Sequence, residues 1–188
     1  MNRSAIVVVG LSLVAAGCGS SPIEPSPSEG TRTTTTFTVQ LSPANEVPAI
    51  ANADAGASGT AIITLNVARD ASNNVTSANA DFQITVAGFP AGTRVTDAHI
   101  HNAPAGANGG VSVNTTLTSG DVVITNGGGS TTKSGINVPA DRAAAILNNP
   151  AAHYFNVHTA LNPDGAIRGQ LSGGTTVSGS GASGGSGY

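Results

Sequence analysis

The sequence predicts an all-β fold, a Greek-key-like antiparallel β-sandwich with one short helix. Aromatic residues are only 3% of the chain and Trp is absent, while Gly, Ala, Thr, Ser, Asn and Val dominate, a mixture suited to strands and turns. Apolar residues recur at every second position in several short stretches, the period of a strand with one buried face. Gly, Asn and Pro turns separate these stretches, and about seven or eight short strands in one chain imply a sandwich. A hydrophobic share of 39% in 188 residues gives one domain a real core without demanding a membrane bundle.

Taken in order, the chain opens with a charged start at Arg3, an apolar run over residues 5 to 14, and Ala15-Ala16-Gly17-Cys18. This resembles a lipoprotein signal peptide over residues 1 to 17, with Cys18 as the lipid-bearing residue, although Ala15 stands where that pattern usually has Leu. A run of about ten residues is too short to span a bilayer as a helix. Cys18 is the one cysteine, so no disulfide supports the fold. Residues 18 to 36, rich in Ser, Pro and Thr, read as a disordered tether, and residues 174 to 188, almost wholly Gly, Ser and Thr, as a disordered tail.

The domain is expected over residues 37 to 173. Phe37, Val39 and Leu41 alternate with polar neighbours, as do Ala61, Ile63, Leu65 and Val67, and Phe82, Ile84 and Val86. Further strands are predicted over residues 94 to 101, 111 to 117, 122 to 125, 153 to 159 and 166 to 171, with turns at Ser72-Asn73-Asn74 and Asn162-Pro163-Asp164-Gly165. Gly127-Gly128-Gly129 reads as a turn. Residues 139 to 148 break the pattern: Pro near the start, Asp141 in the first turn, a run of Ala and Asn149-Pro150 as a stop predict a short helix, with Ala143, Ile146 and Leu147 facing the sandwich.

Charge narrows the partners. Without Arg3, six basic side chains face ten acidic ones, a net charge of −4, and the basic residues are scattered. Nucleic acid is excluded as a partner on this ground; a neutral, cationic or metallic ligand fits better.

Candidate chemistry centres on histidine. In Asp97-Ala98-His99-Ile100-His101, alternation puts Asp97, His99 and His101 on one face, and strand positions two apart lie about 6.5 to 7 Å from each other. Both imidazoles can therefore lean onto one ion at about 2.0 Å per bond. In Tyr154-Phe155-Asn156-Val157-His158, the outward set is Tyr154, Asn156 and His158, and His153 has the opposite parity. Should the two strands pair, three imidazoles without a thiolate would suit copper or zinc, with Asp97 and Asn156 placed to orient the rings. The same histidines also fit a metal-free polar network, since strand histidines commonly hydrogen-bond to carbonyls or carboxylates. Glu46 and Arg168 are isolated charges in apolar surroundings, read as a pair tying the first strand to the last, or with Arg168 steering an anion.

The ordered set formed by residues 41 to 48, Ala98-His99-Ile100-His101, Ala105-Gly106-Ala107-Asn108-Gly109-Gly110-Val111, residues 154 to 159, and Asn162-Pro163-Asp164-Gly165 through Arg168-Gly169-Gln170-Leu171 resembles the CHRD (chordin) domain pattern across nearly all of residues 37 to 173. Ala166 stands where that family commonly has Glu, and Ala49 where a second Pro often follows. The resemblance implies an extracytoplasmic β domain. The family occurs in chordin, an extracellular antagonist of bone morphogenetic proteins, and in many exported bacterial proteins. A fainter likeness, to Cu,Zn superoxide dismutase, rests on the His-x-His, a later His and the sandwich, so immunoglobulin-like and dismutase-like sandwiches are both expected candidates.

The functional expectation is an exported lipoprotein, anchored to a bacterial membrane through Cys18, that binds copper or zinc through His99, His101 and His158. Its protein partner is open. A copper-dependent dismutase using the same ligands and a metal-free adhesion or scaffold domain stand as alternatives.

Overall fold

The computed structural model describes residues 30–179, and within them the chain is a two-sheet antiparallel β-sandwich with one α-helix. The predicted signal peptide and Cys18 lie outside the described residues. The strands are β1 (Arg32–Leu41), β2 (Ser58–Arg69), β3 (Val75–Ala87), β4 (Val95–Asn102), β5 (Gly110–Asn114), β6 (Gly129–Asn137), β7 (His153–Thr159), β8 (Ile167–Gln170) and β9 (Thr175–Gly179), with α1 (Ala140–Asn148) between β6 and β7.

One sheet has the order β6-β3-β2-β1-β9 and the other β5-β4-β7-β8. Strand β6 returns beside β3, and β7 beside β4, each after an excursion into the opposite sheet, which is the Greek-key feature. The predicted alternations supply the inner faces: Phe37, Val39, Leu41, Ile63, Leu65, Phe82 and Ile84 from the first sheet meet Val95, Ile100, Phe155, Val157 and Ile167 from the second. Each such side chain contributes about 1.5–3 kcal/mol through burial. Phe82 and Phe155 stack across the gap with centroids 5.9 Å apart, so two of the four phenylalanines join the sheets at one point.

At one edge the sheets are also joined by backbone. Ser42, just past β1, exchanges two hydrogen bonds with Arg168 of β8, at 3.0 and 3.2 Å. A Cβ on Gly169 would lie 2.1 Å from the Gln40 carbonyl oxygen, so only glycine permits this approach.

Several expectations are corrected. The first strand starts at Arg32, inside the segment read as a tether, because Thr33 to Thr36 pair with β2 and β9 and Thr35 is buried. Strand β9 forms within the segment read as a tail; its five residues are exposed and held chiefly by edge pairing to β1. Strand β6, GSTTKSGIN, has no apolar alternation and escaped the period-two reading, yet it pairs with β3 as an edge strand. Residues 122 to 125 form no strand: Val122 is buried as a plug, Val123 is exposed, and only an isolated bridge joins Thr125 to Gly128. Strand β5 stops at Asn114, and the backbone turns at Thr116 with φ +59°. The helix lies where expected, with Pro139 as its N-cap, Ala143 and Ile146 buried and Leu147 packed partly against the core. No helix among the described residues is long and apolar enough to cross a membrane.

A bulge in β4 positions the site. Val95 shares parity with the histidines, yet it is fully buried while Asp97, His99 and His101 face outward. The register against β7 shifts between Val95 and Asp97, where Thr96 is the extra residue, and this shift reverses the parity.

Candidate metal centre

Strands β4 and β7 are hydrogen-bonded neighbours, so the two histidine-bearing segments meet on the outer face of the second sheet. Asp97 stands opposite His158, His99 opposite Asn156, and His101 opposite Tyr154. His99, His101 and His158 each offer one ring nitrogen, and these three atoms lie within 4.8 Å of one another. Ring centroids are 4.9 to 5.9 Å apart.

Which nitrogens point inward follows from what holds the others. His101 Nδ1 lies 2.9 Å from the Gly109 carbonyl and His158 Nδ1 lies 2.8 Å from the Pro163 carbonyl. A carbonyl only accepts, so both Nδ1 atoms carry the proton and both Nε2 atoms carry a lone pair. His99 Nε2 lies 3.1 Å from the Asp97 carboxylate and donates to it, leaving the lone pair on Nδ1. That Nδ1 is 3.1 Å from His158 Nε2, two acceptors facing each other. His101 Nε2 is buried and has no partner among the described residues. Three lone pairs thus converge with no donor between them among the described residues.

Such a cluster is unfavourable unless a cation fills it. Turning one ring to donate to another would set a lone pair against the Asp97 carboxylate or a loop carbonyl. A bridging proton would satisfy two nitrogens and leave His101 orphaned; a metal ion satisfies all three. Burial lowers the pKa of His99 below the ordinary imidazole value, opposed by Asp97 and assisted by His158 and His101. Burial also lowers that of His101, opposed by its bond to Gly109. Both shifts favour the neutral rings that ligate metals. The three donors could therefore hold a metal ion.

Asp97 stands where sequence placed it. Asn156 does not serve the rings: its Nδ2 donates to both carboxylate oxygens of Glu46, at 3.1 and 3.4 Å, and its Oδ1 has no partner among the described residues. Glu46, carried by the loop after β1, reaches the outer face of the second sheet and takes the amide. Glu46 and Arg168 do come together, with 3.7 Å between Oε2 and Nε and both side chains buried. Burial raises the Glu46 carboxyl to about 7, with Arg168 only partly offsetting it.

Arg168 lies under loops rather than at a mouth. It donates from Nε to the Asn45 carbonyl at 2.6 Å, and from Nη1 to the Ala107 carbonyl at 3.2 Å and to Asn108 Oδ1 at 2.9 Å. Only 3% of the residue is exposed, which removes the expected anion-steering role, since a guanidinium enclosed by loops projects little field into solvent. His153, set aside by parity, is buried away from the cluster and bonded through Nδ1 to the Asn149 carbonyl.

Sequence reasoning did not identify the carbonyls of Gly109 and Pro163 or the Tyr154 ring, which stacks on His101 with centroids 4.8 Å apart and planes 4° from parallel. The only signal for Tyr154 was its parity with His158.

No curated protein and no solved structure matches the chain. The CHRD domain model matches residues 37–171, from within β1 to just past β8, enclosing all three histidines, Asp97, Glu46 and Arg168. The chain belongs to the CHRD domain family.

Proposed function

We propose that this protein is a membrane-tethered, exported binding module that holds one copper or zinc ion on His99, His101 and His158. The observation that carries the reading is the convergence of three imidazole lone pairs, each set by a bond on the far side of its ring. The absence of a thiolate among these donors favours copper(II) or zinc(II) over softer sites. Export and anchoring rest on the leader ending at Ala15-Ala16-Gly17-Cys18.

A dismutase-like redox reading uses the same three ligands, but the cation that would have guided an anion to them is enclosed. Binding is therefore the favoured function, and holding an ion for storage or sensing needs no further residue.

Titrating the full chain with copper(II) and zinc(II), each alone, tests this directly. One ion per chain is expected, and His101→Ala should weaken binding at least about 100-fold. His153→Ala should leave it unchanged. Wild-type protein that takes up neither ion, or His101→Ala protein that binds as wild type does and merely melts lower, would leave the metal-free scaffold in its place. Turnover of superoxide by the copper-loaded chain would favour the enzyme.

A further inference from the structure

We propose that Tyr154 and Arg168 form a positioning unit that fixes the ring plane and proton location of His101, and so sets where its lone pair points. The inference rests on the metal-site reading for its purpose, though its geometry stands without a metal. Among the described residues His101 makes a single hydrogen bond, through Nδ1 to Gly109, and one bond leaves a ring free to rock about it. The parallel face of Tyr154 at 4.8 Å blocks that motion. The guanidinium carbon of Arg168 lies over the Tyr154 ring, 4.4 Å from its centroid, so the phenol ring contacts both the imidazole and the guanidinium. All three residues are at least nine-tenths buried.

The same two residues hold the loop that gives His101 its acceptor. Arg168 Nη1 binds the Ala107 carbonyl and Asn108 Oδ1, while the amide of Gly109 lies 3.4 Å from the Tyr154 hydroxyl. The position requires glycine, because a Cβ there would fall 2.1 Å from the Asn102 carbonyl oxygen. Ring plane and tautomer are thus governed from both sides by one pair of residues. Cross-strand register explains the assembly: Tyr154 stands opposite His101, and Arg168 opposite Asn156, one outward position along β7 from Tyr154.

Tyr154→Phe, Tyr154→Leu and Arg168→Lys separate this role from simple packing. In the metal-free full chain, nitrogen-15 spectra of the histidine rings report the tautomer directly. Wild type and Tyr154→Phe, which keeps the stack, should show His101 as a single Nδ1–H form. Tyr154→Leu should show a tautomer mixture at His101 alone, with copper affinity lower by about 10- to 100-fold and an altered copper(II) resonance spectrum. Arg168→Lys keeps the charge but loses the flat fork, and should move the same readouts in the same direction by a smaller amount. It also decides the question if Tyr154→Leu does not fold. The proposal is overturned if folded Tyr154→Leu and Arg168→Lys proteins retain a single His101 tautomer, whatever happens to their melting temperature. Wild-type protein that binds no copper would defeat the metal reading while the tautomer comparison still decided this one.

Discussion

Glu46 sits in surroundings that alter its chemistry strongly. Its carboxyl sits at about 7 in the fold against 4.5 unperturbed, with Arg168 as its charged neighbour and Asp164 lining the same cavity. A raised acid prefers to be neutral in the native state. Its stabilising contribution is therefore complete below about pH 4.5 and is lost as pH rises through 7. The buried His99 and His101, with lowered values, act in the opposite sense over part of that range, so a comparison with Glu46→Gln isolates the carboxyl. Between pH 5 and 8 the melting temperature of wild type should fall by a few degrees relative to the variant; parallel curves would refute the assignment. Residues of this kind were legible in part. Two histidines spaced by two, and a third on the matching parity of another strand, announced themselves because a strand has only two faces. The fate of Asn156 did not, because Glu46 reaches it from 110 positions away. The Gly109 and Pro163 carbonyls were invisible, since every residue has one.

Strands were readable wherever burial imposed alternation and unreadable where it did not. Strands β1, β2, β3, β4 and β7 carry apolar residues on one face, whereas β6 and β9 lie at the sheet's two edges and bury little or nothing. Their existence depends on free backbone groups on β3 and β1, a tertiary fact with no local sequence mark. The bulge at Thr96 was equally hidden, because by parity alone Val95 shares a face with the histidines, and only the register shift places it in the core. Closure between β1 and β8 makes the sharpest prediction at this scale. Gly169→Ala must push β8 from the Gln40 carbonyl, and should destabilise the fold by about 1–3 kcal/mol in chemical denaturation. A cost below about 0.5 kcal/mol would show that the two strands are not so closely apposed.

For the molecule as a whole, the match over residues 37–171 ends just past β8, before β9 begins. Truncation after Leu171 removes an exposed edge strand and the bond from Thr176 to Thr35, and none of the histidine cluster. The shortened chain should remain folded, melt a few degrees lower, and bind copper with unchanged affinity; loss of binding would show that β9 supports the site. The sandwich itself was legible because alternation and turns recur along the whole domain, while the pairing of β4 with β7 follows from topology that no single segment encodes. That pairing brings three lone pairs to one point, and X-ray absorption at the copper edge of the loaded full chain examines it most directly. Three imidazole nitrogens at about 2.0 Å are predicted. A spectrum with one imidazole or none, from copper held elsewhere on the chain, would contradict the account.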